Sequence, residues 1–281
     1  MEQNQNKTDW DDWVWLPSNS SPGVMHIIEQ NQEKIDWCHM SGNPSPGIIH
    51  LLEQNQDKVH WGLLSGNPGA ISILKENPDK ICWSFLSSNP SQEAVRLLEE
   101  NPDKIDWDYL SNNSNPEAIR LLEENPDKID WGFLSENSNP GAISILEQNQ
   151  KKIHWACLSG NPNAISLLEQ NPDKINWYQL SKNPSAISLL EQNQDKIKWM
   201  WLSSNPSPEA VHLLEQNPDK IHWCILSKNP SPKAISLLEE NHDKIDWINL
   251  SRNTNPRAVH LLEQNQDKID WTSLSRNTAI F

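Results

Sequence analysis

The chain is dominated by one repeated segment that closes on a tryptophan. At residues 121–131 it has the sequence LLEENPDKIDW, and near copies recur along the 281 residues. The recurring tryptophans are Trp37, Trp61, Trp83, Trp107, Trp131, Trp155, Trp177, Trp199, Trp223, Trp247 and Trp271. Neighbouring members are 24 or 22 residues apart. A fixed period of this length predicts stacked repeats rather than a domain with one central core.

The difference between the two repeat lengths always falls at the same point. Where the spacing is 24, the connecting segment is NPSPE, as at residues 205–209; where it is 22, the segment is NPS, as at residues 183–185. Surface loops tolerate insertions and packed elements do not. The pattern therefore predicts a loop at this point of every repeat.

The first half of each repeat, element A, has the signals of a helix. In one copy Ser207 supplies a capping hydroxyl, Pro208 suits the first helical position and Glu209 opposes the helix dipole. Four apolar residues between positions 210 and 214 share one helical face. An Asn-Pro pair then ends the helix.

The second half, element B, is ambiguous. Ile221 and Trp223 are two residues apart, which is a strand spacing, whereas Trp223 and Leu226 are three apart, which is helical. We favour a short helix through W-x-x-L-S whose first turn can be 3₁₀. A strand at K-I-x-W is the alternative and would give a leucine-rich-repeat-like α/β horseshoe. The absence of an L-x-L strand core argues against it.

The predicted fold is an all-α solenoid of about 11–12 helix-turn-helix repeats, forming a single domain over residues 1–281. Residues 1–16 form an irregular N-terminal repeat, in which Trp10 or Trp13 takes the tryptophan position. Residues 277–281 begin an incomplete C-terminal repeat. Neither end has a dedicated polar cap, which leaves self-association through the ends open. The recurring tryptophans are predicted to be structural core, buried against the next repeat.

Composition narrows the classes of function. The net charge of −15 opposes binding to a polyanion, so no nucleic-acid partner is expected, and basic or neutral partners are favoured. The four cysteines form no CxxC pair, which fits a reducing compartment. We expect no membrane span, metal or cofactor. Nearly every carboxylate is a copy of its neighbours' carboxylates, so no catalytic residue is predicted and the chain is expected not to be an enzyme.

The repeat unit ENPDKIDWxxLSxNPxAIxLLE, seen for example at residues 100–123, resembles the tandem tryptophan-containing repeats of uncharacterised proteins from giant DNA viruses. The resemblance covers essentially the whole chain. It implies a viral repeat protein that acts in the host-cell cytoplasm or in the virion. It transfers no site residue, because that family has no established activity.

Variation between repeats is the remaining functional signal. It concentrates around the tryptophan and after L-S, and the second position after the tryptophan is apolar or aromatic in four successive repeats. The predicted partner-binding residues are Leu63, Phe85, Asp106, Asp108, Tyr109, Asp130 and Phe133. The same apolar residues could instead be core. We expect a protein–protein interaction scaffold with a host or viral partner; a structural component of a virus particle or assembly is the alternative.

Overall fold

The computed structural model describes residues 26, 28, 30–274 and 277. Within them it has 21 α-helices joined by short 3₁₀ turns, and no strand. The all-α prediction is confirmed, and the strand alternative finds no support in these residues. The predicted N-terminal repeat at 1–16, with Trp10 and Trp13, lies outside the described residues. Of the predicted C-terminal repeat at 277–281, only Asn277 lies within them.

The chain divides into two compact units, residues 1–141 and 142–281. The boundary falls inside the helix Pro140–Gln148. In each unit, A helices pack on the A helices of neighbouring repeats and B helices pack on B helices. Each unit is therefore an α-solenoid by its packing. The single domain over 1–281 stays a prediction.

The A helices are the longer element. In the first unit they are Pro46–Gln54, Ile71–Glu76, Gln92–Glu100 and Pro116–Glu124. Pro140–Gln148 spans the boundary. In the second unit they are Ile165–Glu169, Ile187–Glu191, Pro208–Glu215, Pro232–Glu240 and Pro256–Glu263.

The B helices are short, and each begins at a recurring tryptophan. In the first unit they are Trp37–Ser41, Trp61–Gly66, Trp83–Ser88, Trp107–Ser111 and Trp131–Glu136. In the second unit they are Trp155–Gly160, Trp177–Lys182, Trp199–Leu202, Trp223–Lys228, Trp247–Ser251 and Trp271–Leu274.

The start of an A helix follows the predicted chemistry. The Ala210 N–H donates to Ser207 Oγ at 3.0 Å, and Pro208 is the first helical residue. At the other end, Asn217 Nδ2 donates to the Leu213 carbonyl at 2.9 Å. The Asn-Pro pair thus closes one element and opens the next.

The ambiguous K-I-x-W segment combines three backbone states. Pro78–Lys80 is a 3₁₀ turn, Ile81 is extended with φ −63° and ψ 124°, and Cys82 is also extended. The α-helix begins only at Trp83. The two-residue spacing between isoleucine and tryptophan therefore reflects an extended pair before a helix, and not a strand.

The prediction of a loop at the length change was wrong in part. Repeats of 24 residues have A helices of eight or nine residues, as in Pro208–Glu215 and Pro46–Gln54. Repeats of 22 residues have A helices of five or six, such as Ile187–Glu191 and Ile71–Glu76. The shorter repeats lack the first turn of the helix, and there an N–H such as that of Ala186 bonds back to the Asn183 carbonyl.

Aliphatic side chains fill the core. Leu110 and Leu134 from the B helices, and Ala118 and Leu122 from an A helix, are all fully buried. The recurring tryptophans from Trp37 to Trp247 are half-buried and lie at the margin of this core. Trp271 is 66% exposed. Their apolar rings still contribute burial, but the centre of each repeat is Leu, Ile and Ala.

Candidate partner-binding surface

The serine of the L-S pair joins neighbouring repeats through its hydroxyl. Ser111 is fully buried, and its Oγ donates to the Trp107 carbonyl at 2.7 Å. The same Oγ accepts from the Asp130 N–H at 3.0 Å, so it fixes the start of the next B helix. Ser227 bonds in the same way to Trp223 and Asp246. One small side chain thus satisfies two part-buried backbone groups.

The asparagine after L-S-x joins neighbouring repeats through its amide. Asn113 Nδ2 donates to the Ser87 and Asn89 carbonyls of the preceding repeat at 2.8 and 2.9 Å. Asn113 Oδ1 accepts from the Asn115 N–H at 2.9 Å. The asparagines with such amide bonds to the preceding repeat form what we call the asparagine ladder: Asn67, Asn89, Asn113 and Asn137 in the first unit, and Asn183, Asn205, Asn229, Asn253 and Asn277 in the second.

These buried serines and asparagines were missed by the sequence analysis, which assigned them to loop and helix end. The available signal was their identity in every repeat. Polar residues are usually exposed. These are buried because the asparagines bond to carbonyls of the preceding repeat, and the serines bond to a carbonyl of their own helix and an N–H of the next repeat.

Lysines of the D-K pair cover some of the tryptophans. Lys58 Nζ lies 4.9 Å from the ring centroid of Trp37, one repeat earlier. Lys80 lies over Trp61 at 4.7 Å in the same manner. These distances are within the range of a cation–π contact. In these two cases a lysine side chain of the next repeat therefore covers the exposed face of the half-buried tryptophan.

Three of the predicted partner-binding residues form a continuous row. The ring centroids of Phe85 and Tyr109 are 6.4 Å apart, and those of Tyr109 and Phe133 are 6.3 Å apart. The planes are nearly parallel, at 27° and 22°. Tyr109 is 42% exposed and Phe133 39% exposed. We call Phe85, Tyr109 and Phe133 the aromatic strip.

Glycines on the preceding B helix make room for the first ring of the strip. A Cβ on Gly62 would lie 3.5 Å from Phe85 Cε2, and one on Gly66 would lie 3.7 Å from Phe85 Cδ1. Phe85 therefore lies directly over the glycine face of that helix and is half-buried. Leu63, the equivalent residue one repeat earlier, is also half-buried.

Two of the predicted carboxylates have a local structural role. Asp106 Oδ1 accepts from the Tyr109 N–H at 3.4 Å, and Asp130 Oδ1 accepts from the Phe133 N–H at 2.8 Å. Each therefore caps the B helix that holds a strip residue. Asp106 Oδ2 also accepts from Ser84 Oγ at 2.6 Å. Asp108, in the first turn of the same helix as Tyr109, is exposed.

The second unit has aromatic residues at related positions, but its own lysines cover them. Trp201 occupies the position equivalent to the strip residues, and Lys182 Nζ lies 4.0 Å from its ring centroid. Lys198 Nζ lies 5.1 Å from the centroid of Tyr178. Both lysines stand at positions that vary between repeats.

Among the described residues, no group of three or more His, Cys, Asp or Glu side chains could hold a metal ion. No helix in that part of the chain has the length and hydropathy needed to cross a membrane. The architecture is that of an α-helical repeat protein with tryptophans at regular intervals. No family model, curated protein or solved structure matches the chain.

Proposed function

We propose that this chain is a non-enzymatic scaffold that binds a protein partner through the variable positions of its B helices. The observation that supports this proposal best is the aromatic strip. Three aromatic side chains from successive repeats form a row, in which Tyr109 and Phe133 are exposed to water and Phe85 is half-buried. Exposed aromatic groups in a contiguous row are typical of the central contacts of protein interfaces.

The scaffold that holds the strip favours this use. The Ser111 and Asn113 side chains join the Tyr109 helix to the repeats on either side. Ser111 Oγ accepts from the Asp130 N–H of the next repeat, and Asn113 Nδ2 donates to the Ser87 carbonyl of the preceding one. A surface held by such bonds loses little conformational freedom when a partner docks. More of the binding energy of the rings is then available for affinity.

The proposal includes a partner from the host or from a virus, acting in host-cell cytoplasm or in the virion. That part is supported by the sequence resemblance alone. Nucleic acid is not proposed as a partner, because the charge of −15 opposes contact with phosphates. Retention of the chain on DNA or RNA at physiological salt would overturn that exclusion.

The test compares two triple variants. The strip variant carries Phe85→Ser, Tyr109→Ser and Phe133→Ser. The control variant carries Tyr178→Ser, Met200→Ser and Ile248→Ser, which removes three exposed apolar side chains from the other unit. Circular dichroism and thermal unfolding first establish that both variants fold.

Each immobilised protein is then exposed to a lysate of amoebae or algae, the hosts of the giant DNA viruses whose repeats the chain resembles, and bound proteins are quantified by mass spectrometry. We expect a stoichiometric partner to be retained by the native chain and by the control variant, and lost by the strip variant. Equal retention by all three proteins would contradict the proposal. So would loss of folding in the strip variant alone, because the strip would then be core.

A further inference from the structure

We propose that the aromatic strip binds an extended peptide segment with lysine or arginine at alternate positions. Each cation would lie against one ring of Phe85, Tyr109 and Phe133. This inference rests on the proposed function and specifies the chemistry of the partner. Three observations support it: the cation–π pairs of the second unit, the spacing of the rings in the strip, and the negative charge around the strip.

The second unit shows what contacts an aromatic residue at this position. Trp201 is the second residue after a recurring tryptophan, as are all three strip residues. The cation over its ring comes from Lys182, which follows L-S in the preceding repeat. The fold therefore already places an ammonium group against a ring at this site, 4.0 Å from the centroid.

The first unit lacks a lysine of its own at the matching positions. The residues equivalent to Lys182 are Gly66 for Phe85, Ser88 for Tyr109 and Asn112 for Phe133. These side chains are short and neutral. No lysine of the chain therefore stands at these three positions beside the strip, and a partner can supply the cation.

The spacing of the rings fits an extended chain. Neighbouring ring centroids are 6.4 and 6.3 Å apart. Two residues of an extended peptide span about 6.6 Å, so side chains on one face of it recur at nearly the same interval. One residue spans about half of that distance. Alternate basic residues can therefore meet successive rings, and adjacent ones cannot.

The charge around the strip selects a cation. Asp106 and Asp130 cap the two B helices that hold Tyr109 and Phe133, Asp108 lies in the first turn of the Tyr109 helix, and the whole chain has a net charge of −15. A lysine or arginine is attracted both to the face of a ring and to a nearby carboxylate. An acidic or purely apolar peptide gains only part of this stabilisation.

The experiment uses three fluorescent peptides and the full chain at physiological ionic strength. The alternating peptide has the core Lys-Thr-Lys-Thr-Lys, the block peptide has the same residues with the lysines adjacent, and the third replaces lysine by glutamate. Affinities are measured by fluorescence anisotropy. We expect the alternating peptide to bind at least about fivefold more tightly than the block peptide, and the glutamate peptide to show no binding.

Two variants locate the site. In the first, Phe85→Leu, Tyr109→Leu and Phe133→Leu keep apolar groups but remove the rings, and the affinity for the alternating peptide should fall about tenfold or more. Its control is Tyr178→Leu, which removes an exposed ring from the second unit and should change affinity less than twofold.

The second variant, Gly66→Lys, Ser88→Lys and Asn112→Lys, gives the strip lysines of its own. No described glycine has a positive φ, and a Cβ at Gly66 meets Phe85 at an ordinary contact distance, so the side chains can be accommodated. We expect at least a tenfold loss of affinity. A charge-matched control with Gln54→Lys, Gln148→Lys and Gln170→Lys, all on exposed residues, should lose less than threefold.

Equal binding of the alternating and block peptides would overturn the inference, as would unchanged binding by the leucine variant. Equal losses in the two lysine variants would overturn it too, since bulk charge alone would then explain the effect. These outcomes differ from failure of the proposed function. If the serine strip variant loses its lysate partner while no basic peptide binds, the scaffold proposal survives and the peptide chemistry is wrong.

Discussion

The variable surfaces of the two units differ in what contacts their aromatic rings. In the first unit Phe85, Tyr109 and Phe133 contact one another. In the second unit Trp201 and Tyr178 contact lysines of the chain itself. The backbone beneath is bonded in the same way in both units, as the matching contacts of Asn113 and Asn229 show. The chemistry of the surface can therefore change from repeat to repeat while the stacking stays constant.

The largest effect should come from the shared asparagine ladder. Replacing Asn113 by Ala leaves two buried carbonyls and one N–H without their partner, which should lower the free energy of unfolding by about 3–5 kcal/mol. Asn229→Ala should cost the same amount in the second unit. Urea unfolding followed by tryptophan fluorescence measures both. The neighbouring exposed Asn112→Ala should change stability by less than about 0.5 kcal/mol. A large difference in destabilisation between Asn113→Ala and Asn229→Ala would show that the two units are not held together in the same way.

The next effect concerns the buried serines. Ser111→Ala and Ser227→Ala each remove one donor and one acceptor, and each should destabilise by about 1–3 kcal/mol. Ser188→Ala, at an exposed position on the A helix Ile187–Glu191, provides the comparison and should be close to neutral. Chemical denaturation of the three variants under one set of conditions checks this. A neutral Ser111→Ala would show that water replaces the hydroxyl.

A smaller effect should separate the two kinds of aromatic contact. Tyr109 has two ring neighbours, so Tyr109→Ala should cost about 1–2 kcal/mol. Tyr178 is 56% exposed and contacts a lysine, so Tyr178→Ala should cost less than about 1 kcal/mol. Thermal unfolding of both variants gives the comparison. The contrast between the units would be lost if Tyr178→Ala were the more harmful change.

The smallest effect is kinetic. Cys38 and Cys224 both follow a recurring tryptophan, but Cys38 is exposed and Cys224 is half-buried. Burial, together with a hydrogen bond to Asp246, raises the pKa of the Cys224 thiol. Less thiolate is then present at a given pH, so alkylation of Cys224 should be several-fold slower near pH 8 than alkylation of Cys38. Mass spectrometry of timed iodoacetamide reactions measures the two rates. Asn249→Ala, which removes a donor to the sulfur, should slow Cys224 further.

Much of the fold follows from local sequence. The Ser207-Pro208 start and the Asn-Pro ends are decided by capping chemistry within a few residues, and the structure confirms them. The K-I-x-W segment could not be assigned, because an extended pair before a helix gives both periodicities at once. The tryptophans lie at the margin of the core because small and branched residues such as Ala118 and Leu122 fill its centre.

Only part of the candidate site could be predicted from the sequence. The row of Phe85, Tyr109 and Phe133 follows from equal positions in successive repeats. The capping of Tyr109 and Phe133 by Asp106 and Asp130 does not, because it depends on the exact residue at which each B helix begins. The position of Lys182 over Trp201 likewise depends on the distance between two repeats.

The asparagine ladder has a consequence for how such a chain can change over time. Each rung uses only main-chain carbonyls of the preceding repeat, and it forms whether the asparagine lies 22 or 24 residues after the one before it. Because these hydrogen bonds do not depend on the side chains of the preceding repeat, the same contact can form with any repeat of this backbone conformation. Gene segments encoding single repeats can therefore be duplicated, deleted or exchanged while the contacts between repeats are kept. Each inserted repeat adds its own surface residues to the array.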